Sequence, residues 1–274
     1  MNYRHAFHAG NHADVFKHAA LTLVLEHLRQ KPQPFAVLDT HAGLGVYDLT
    51  SDEAARSPEY REGAARIFGH ELASAPAYSQ LLSEMNPGGL RIYPGSPEIV
   101  RGLLREGDRL MACELHPEDV AVLKARYRDD RRVATHHRDG YEAIRALTPP
   151  PERRGMVFID PPFEKTDEAE RLLAALTGGL KRWPGGIFMA WYPLKDRKVS
   201  AALSAAAVEA AWPKALRVEL SPYLWEESSL PGSGLLICNA PWKLDEKLTD
   251  LCQELAGRLG NGRASWSVDQ LTPA

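Results

Sequence analysis

Cysteine is scarce in this chain, with only Cys113, Cys238 and Cys252 among 274 residues. They are too few and too scattered for a disulfide framework or a zinc site. Cys113 and Cys238 fall in apolar runs and read as core thiols, which suits a reducing cytosol. Long hydrophobic runs are also lacking. No stretch approaches the roughly 20 apolar residues that span a bilayer. The start, with Arg4 and several histidines, has no signal-peptide core. Internal repeats and low-complexity segments are absent. So is a surplus of charge of one sign: 33 Lys and Arg against 36 Asp and Glu leave a formal charge of −3, which excludes a generic polyanion binder. Positive charge is local instead. Lys124, Arg126, Arg128, Arg131, Arg132, His136, His137 and Arg138 face only Asp129 and Asp130 in sequence. Such a run ordinarily forms a solvated face, and its natural partner is a phosphate backbone. A second set, Arg4, His5, His8, His12, Lys17 and His18, lies near the start.

The length fits one large domain, 1–274, with an N-terminal segment over 1–34 and a helical insertion at about 47–91. Short apolar runs alternate with helical patterns after residue 35, which predicts an α/β fold with a seven-stranded, mostly parallel sheet. Strands are expected at Phe35–Asp39, Arg109–Glu114, Arg132–His136, Met156–Asp160, Gly186–Tyr192, Ala215–Leu220 and Leu235–Asn239. Asn11 is placed to cap a helix running to about Arg29, with Asp14 at the favourable end of its dipole. A helix from about Pro241 to Leu259 closes the chain, leaving a loose tail after Gly260. The interval between the first two strands is too long for an ordinary crossover loop, hence the insertion.

Chemistry gathers at the predicted C-terminal strand ends. Met156-Val157-Phe158-Ile159 runs into Asp160-Pro161-Pro162-Phe163. Two prolines stop the strand and fix its backbone, leaving carbonyls with no N–H on the same residues. Those carbonyls and the Asp160 carboxylate can accept both protons of an exocyclic amine, while Phe163 offers a face to a flipped-out base. A plain proline turn with a capping Asp is the other reading of the tetrapeptide alone. The first strand feeds Asp39-Thr40-His41-Ala42-Gly43-Leu44-Gly45, a turn that lets a ligand approach the backbone. Asp48 stands where a dinucleotide fingerprint wants its third glycine and would repel a pyrophosphate. Asp39 suits a cationic, zwitterionic ligand such as S-adenosylmethionine. Glu114 is placed for ribose hydroxyls and Asp139-Gly140 for an adenine amine. Ser96 reads as an N-cap with Pro97 following, at a helix start able to bind a carboxylate. His5, His8, His12 and Asp14 lack the tight ligand spacing of a metal site.

The segment from Tyr3 to His18, Leu38 through Gly45, Pro94-Gly95-Ser96-Pro97 and Ile159-Asp160-Pro161-Pro162-Phe163-Glu164 closely resemble the bacterial 23S ribosomal RNA adenine-N6 methyltransferase J family. The resemblance runs from the start to the last expected strand and implies a cytoplasmic, monomeric enzyme, metal-free, with a Rossmann-like fold. It implies transfer of a methyl group from S-adenosylmethionine to N6 of one adenine in 23S rRNA. By motif, His18, His41, Ser96, Glu114, Asp139, Gly140 and Asp160 would line the cofactor pocket. Asp160, with Pro161 and Phe163, would carry catalysis, and Tyr3, Lys17 and Phe163 would meet the substrate. Phe163 stands where many related enzymes carry Tyr, keeping the stacking face and losing a hydroxyl.

Other classes remain to be weighed. The same amine chemistry suits adenine in DNA or another rRNA base, and only the N-terminal segment speaks for 23S rRNA. A nicotinamide-dependent oxidoreductase is disfavoured by Asp48 and the lack of a proton relay. A non-catalytic RNA-binding scaffold is disfavoured by the intact tetrapeptide at Asp160.

Overall fold

The computed structural model describes residues 4–226 and 228–273, so Tyr3 lies outside the described residues. A short 3-10 turn at His5–Phe7 leads into α1 (His12–Arg29), whose N-cap Asn11 accepts the Asp14 amide as its sequence predicts. Then come β1 (Ala36–Asp39), β2 (Val46–Asp48), α2 (Asp52–Arg56), α3 (Ala64–Ile67), α4 (Pro76–Glu84) and β3 (Ile92–Pro94). The next elements are α5 (Ser96–Leu103), β4 (Arg109–Glu114), α6 (Pro117–Tyr127), β5 (Val133–His137), α7 (Gly140–Leu147), β6 (Gly155–Ile159) and α8 (Glu168–Arg182). The last are β7 (Ile187–Pro193), α9 (Lys198–Glu209), β8 (Leu216–Ser221), β9 (Ser233–Cys238), α10 (Leu244–Leu259) and β10 (Ser265–Gln270).

One sheet has the order β10-β8-β9-β7-β6-β1-β4-β5, and β2 pairs with β3 apart from it. Strands β7, β6, β1, β4 and β5 are mutually parallel, whereas β9, β8 and β10 join antiparallel. Helices cover both faces, as a mainly parallel sheet requires. Phe16, Leu21 and Leu25 of α1 pack with α5 and α10 residues on one face. Leu172, Leu176 and Leu180 of α8 pack with α7 and α9 residues on the other. The buried runs of β6 and β7 lie between these layers.

The sheet has eight strands rather than seven, because the tail expected to be loose forms β10. Ser265–Gln270 pairs residue for residue with Ser221–Leu216, and Arg217 bonds Asp269 at 2.9 Å. This strand is half exposed, so its sequence carries little apolar signal. Between β2 and β3, which pair with each other, the chain forms α2, α3 and α4. Ser96 is the first helical residue of α5, and Gly95 is the cap. The basic run at 124–138 is divided by the fold. Lys124, Arg126 and Arg128 sit at the α6 end remote from the C-terminal strand edge, and Arg132 is tied to Asp130 and the Leu104 carbonyl at 2.6 and 2.7 Å.

Candidate active site

Strand β1 is the topological switch point: the chain continues to β4 on one side and β6 on the other. Open α/β sheets bind ligands in the crevice at the carboxyl ends of such strands. Here a cavity of about 270 Å³ opens at that edge. His18, His41, Ser96, Glu114, Asp139, Gly140, Asp160, Pro161, Phe163 and Lys17 all line it, so every described residue expected at the site is brought together.

Behind Ser96, at one end of the cavity, Asp39 is fully buried, and its Oδ2 accepts the Ser96 hydroxyl at 2.7 Å. Among the described residues its Oδ1 has no hydrogen-bond partner. Burial raises the Asp39 pKa to about 7, partly offset by the Ser96 hydrogen bond. A buried carboxylate oxygen without a donor, beside a helix start, fits the amino-acid end of S-adenosylmethionine. Ser96 reaches it from the first turn of α5, so its hydroxyl serves Asp39 rather than capping the helix.

Along the floor, Glu114 accepts the Gly43 amide at 2.8 Å and the His116 amide at 2.7 Å, holding the β1 and β4 loops in register. Gly43 has φ +59°, and a Cβ there would lie 2.2 Å from the Tyr47 hydroxyl. A side chain would close the backbone approach that the turn provides. Burial pushes the His41 pKa down to about 4, leaving a neutral ring edge-on to Tyr141 at 5.4 Å.

At the far end Asp139 caps α7, accepting the Tyr141 and Glu142 amides, and its other oxygen takes Arg171 at 2.8 Å. Arg171 also lies over the Tyr141 ring at 4.6 Å, and Tyr141 donates to Glu168 at 2.8 Å. Gly140 fits directly against β1: a Cβ would fall 2.2 Å from the Thr40 carbonyl oxygen. The sequence reading missed Tyr141, Glu168 and Arg171. Arg171 and Glu168, three apart on α8, look like an ordinary solvated pair, and nothing in spacing shows that Arg171 reaches back to Asp139 and Glu168 to Tyr141.

The reacting end is built from β6 and α1. Lys17 is 4 % exposed and bonds Asp14 at 2.7 Å and Asp160 at 2.6 Å, with the Trp191 ring centroid 5.2 Å away. Burial opposes the Lys17 charge, but the two carboxylates outweigh it and hold its pKa above the ordinary value. Asp14 is anchored as well by His5 at 2.9 Å and by the Gly10 amide at 2.8 Å. A helix that buries Asp14, Lys17 and His18 is thus electrostatically satisfied. Phe163 has φ +49°, a left-handed conformation unusual for an aromatic residue, and meets Trp191 edge-on at 5.9 Å. Trp191 was hidden in the apolar run of β7. His8 and Asn11 close the rim by bonding Glu59 of the insertion at 2.8 and 3.0 Å.

A parallel switch-point sheet with acidic groups at four strand ends and an Asp-Pro-Pro-Phe turn defines a Rossmann-like, S-adenosylmethionine-dependent methyltransferase. The family described as Ribosomal RNA large subunit methyltransferase D, RlmJ, matches residues 32–272, and the chain belongs to that family. It is 38 % identical over 279 aligned positions to Ribosomal RNA large subunit methyltransferase J of Escherichia coli, covering 98 % of this chain and all of that one. The Haemophilus influenzae protein of the same name is 37 % identical, covering 100 % and 99 %. A crystal structure of a Legionella pneumophila protein superposes with a TM-score of 0.90 at 32 % identity, covering 96 % of this chain and 98 % of that one. S-adenosylmethionine is the cofactor of this enzyme, and among the described residues no helix is long and apolar enough to cross a membrane.

Proposed function

We propose that this chain, as a single methyltransferase unit, acts in the cytoplasm as a monomer and methylates N6 of one adenine in 23S rRNA. The observation that carries the reading is the Asp160–Phe163 turn, held by Lys17 at Asp160 and Trp191 at Phe163, in the same cavity as Glu114 and Ser96, with Asp39 buried behind Ser96. Asp39, His18, Ser96 and the α5 start take the amino-acid end of the cofactor, Glu114 the ribose, and His41, Asp139 and Gly140 the adenine. The cofactor supplies an electrophilic sulfonium methyl.

The chain's part is to position and polarise. The target amine is a poor nucleophile because its lone pair is delocalised into the ring. It donates one proton to Asp160 and the other to the Pro161 carbonyl, which favours a pyramidal nitrogen with its lone pair free. The charge-assisted bond to Asp160 contributes about 1.5–3 kcal/mol and the neutral one to the Pro161 carbonyl about 0.5–1.5 kcal/mol. Phe163 stacks on the base and offsets part of the cost of flipping it, a few kcal/mol. Once the nitrogen becomes cationic, Asp160 takes its surplus proton without needing to be a strong base. Lys17 keeps the Asp160 carboxylate aimed into the cavity, and His5, bonded to Asp14, lines the cavity as well.

The test offers labelled S-adenosylmethionine with unmodified 23S rRNA, 16S rRNA, duplex DNA and free nucleotides, and identifies the labelled nucleoside. N6-methyladenosine from 23S rRNA alone is expected. Label in DNA adenine or another base would overturn the substrate assignment and keep the chemistry. Asp160→Ala should cut turnover by about 10²–10³-fold or more while cofactor still binds, as expected for a group acting at the reacting atom.

A further inference from the structure

The helical insertion sends two tyrosines beneath the cofactor cavity, and neither touches it. Tyr78 of α4 and Tyr93 of β3 are both fully buried, with their hydroxyl oxygens 3.1 Å apart. Tyr93 also lies 2.9 Å from Nδ1 of His18, which is 2 % exposed, and its ring stacks on the His18 ring at 5.7 Å. The line Tyr78–Tyr93–His18 therefore runs from the insertion to the wall of the cavity that His18 and Ser96 both line.

The protons of this line can be counted. Two hydroxyls and one imidazole must arrange their hydrogens so that none is buried without an acceptor. If Tyr78 donates to Tyr93 and Tyr93 donates to His18 Nδ1, both hydroxyl protons are used. The imidazole then carries its proton on Nε2. The reverse direction starts at an Nδ1–H and ends with the Tyr78 proton in the core. Among the described residues the only hydrogen-bond partner of that hydroxyl is Tyr93. A buried hydroxyl proton left unbonded costs about 1–3 kcal/mol, so the first arrangement prevails. Burial also lowers the His18 pKa to about 3, so the ring is neutral and has a single proton to place.

We propose that Tyr93, backed by Tyr78, is a positioning residue that locks His18 as the Nε2–H tautomer, so that the ring presents a hydrogen-bond donor to the carboxylate of S-adenosylmethionine. The proposal rests on the reading of His18 as a cofactor contact. It gives the insertion a part in the chemistry of the site. The segment that delivers Tyr93 also delivers Ser96 three residues later, so one short stretch sets both His18 and Asp39. A neutral donor suits that place, because a second full positive charge would compete with Lys17 for the nearby carboxylates.

The test is long-range ¹H–¹⁵N correlation of the histidines in the full-length protein, with cofactor binding measured by calorimetry. The wild-type spectrum should show His18 as a single Nε2–H species. Tyr93→Phe should spread the proton over both nitrogens and weaken cofactor binding about tenfold, with kcat at saturating cofactor within about twofold. Tyr78→Phe should move both readouts the same way by less, about threefold in affinity. His18→Ala should cost about as much as Tyr93→Phe, and the double variant no more than either alone. An Nδ1–H ring in the wild type, or an unchanged tautomer in Tyr93→Phe, would overturn the relay. The expected tautomers with unaltered affinity in His18→Ala would instead overturn the cofactor reading beneath it. A purely structural role would lower stability without moving the tautomer.

Discussion

At the scale of single residues, Asp39 is the group whose ionisation should be visible. Its folded pKa is raised to about 7 by burial, above its value in an unfolded chain. The carboxyl therefore contributes stability that is fully present below the unfolded carboxylate range and is lost as pH rises through about 7. Ligand binding runs the other way, because a cationic amine selects the ionised form. Cofactor affinity is expected to rise between about pH 6 and 8, and Asp39→Asn should bind more weakly and remove that part of the slope. Calorimetry across this range in both proteins checks it; an identical slope in Asp39→Asn would remove Asp39 from the cofactor site. Phe163 is the complementary case. It keeps a left-handed backbone that costs on the order of 1 kcal/mol, at the turn where the proposed mechanism sets its ring against a base.

At the scale of elements, two close fits decide stability. Gly140 begins α7 against the Thr40 carbonyl, and Gly140→Ala must push the helix start away and move Asp139 with it. Destabilisation of about 1–3 kcal/mol in urea unfolding is expected, with weaker cofactor binding. The second is β10. Thr272 receives the Ala215 amide at 2.8 Å and donates to the Trp212 carbonyl at 2.6 Å, fastening the strand's end to β8. Deleting residues 263–274 would expose the β8 edge, so a lower unfolding midpoint and concentration-dependent aggregation should follow in thermal scans with light scattering. Each parallel strand was legible to within a residue or two, because buried strands read as continuous apolar runs. Strand β10 was not, since Ser265 to Gln270 buries little and gains its place from pairing with β8 alone.

At the scale of the whole molecule, the cavity joins α1, the insertion and four strand ends, so cofactor binding should stabilise all of them together. At a hundredfold excess over Kd, binding contributes about 2.7 kcal/mol, which for a chain of this size is about 5–10 °C in Tm. The shift should be larger at pH 8 than at pH 6, following Asp39, and differential scanning calorimetry reads both. No shift at any pH would mean that the cavity does not hold this cofactor.

The sequence by itself determined which acidic residues gather at one edge of the sheet. Asp39, Glu114 and Asp160 stand at the ends of apolar runs and Asp139 just after the weaker run Val133–His137, and in parallel strands such ends meet at one edge. That inference needs only the periodicity of buried strands and the direction of their crossovers. Tertiary structure alone decided the partners. Lys17 meets Asp160 across 143 residues of chain, Arg171 turns back to Asp139, and Tyr93 reaches His18 from the far side of an insertion. Such contacts depend on how helices lie over the sheet, where packing of many side chains sets distances that no local spacing encodes. The same holds for the basic run at 124–138. Contiguous in sequence, it is divided in space because α6 and β5 run in opposite directions, and charge follows the backbone that carries it.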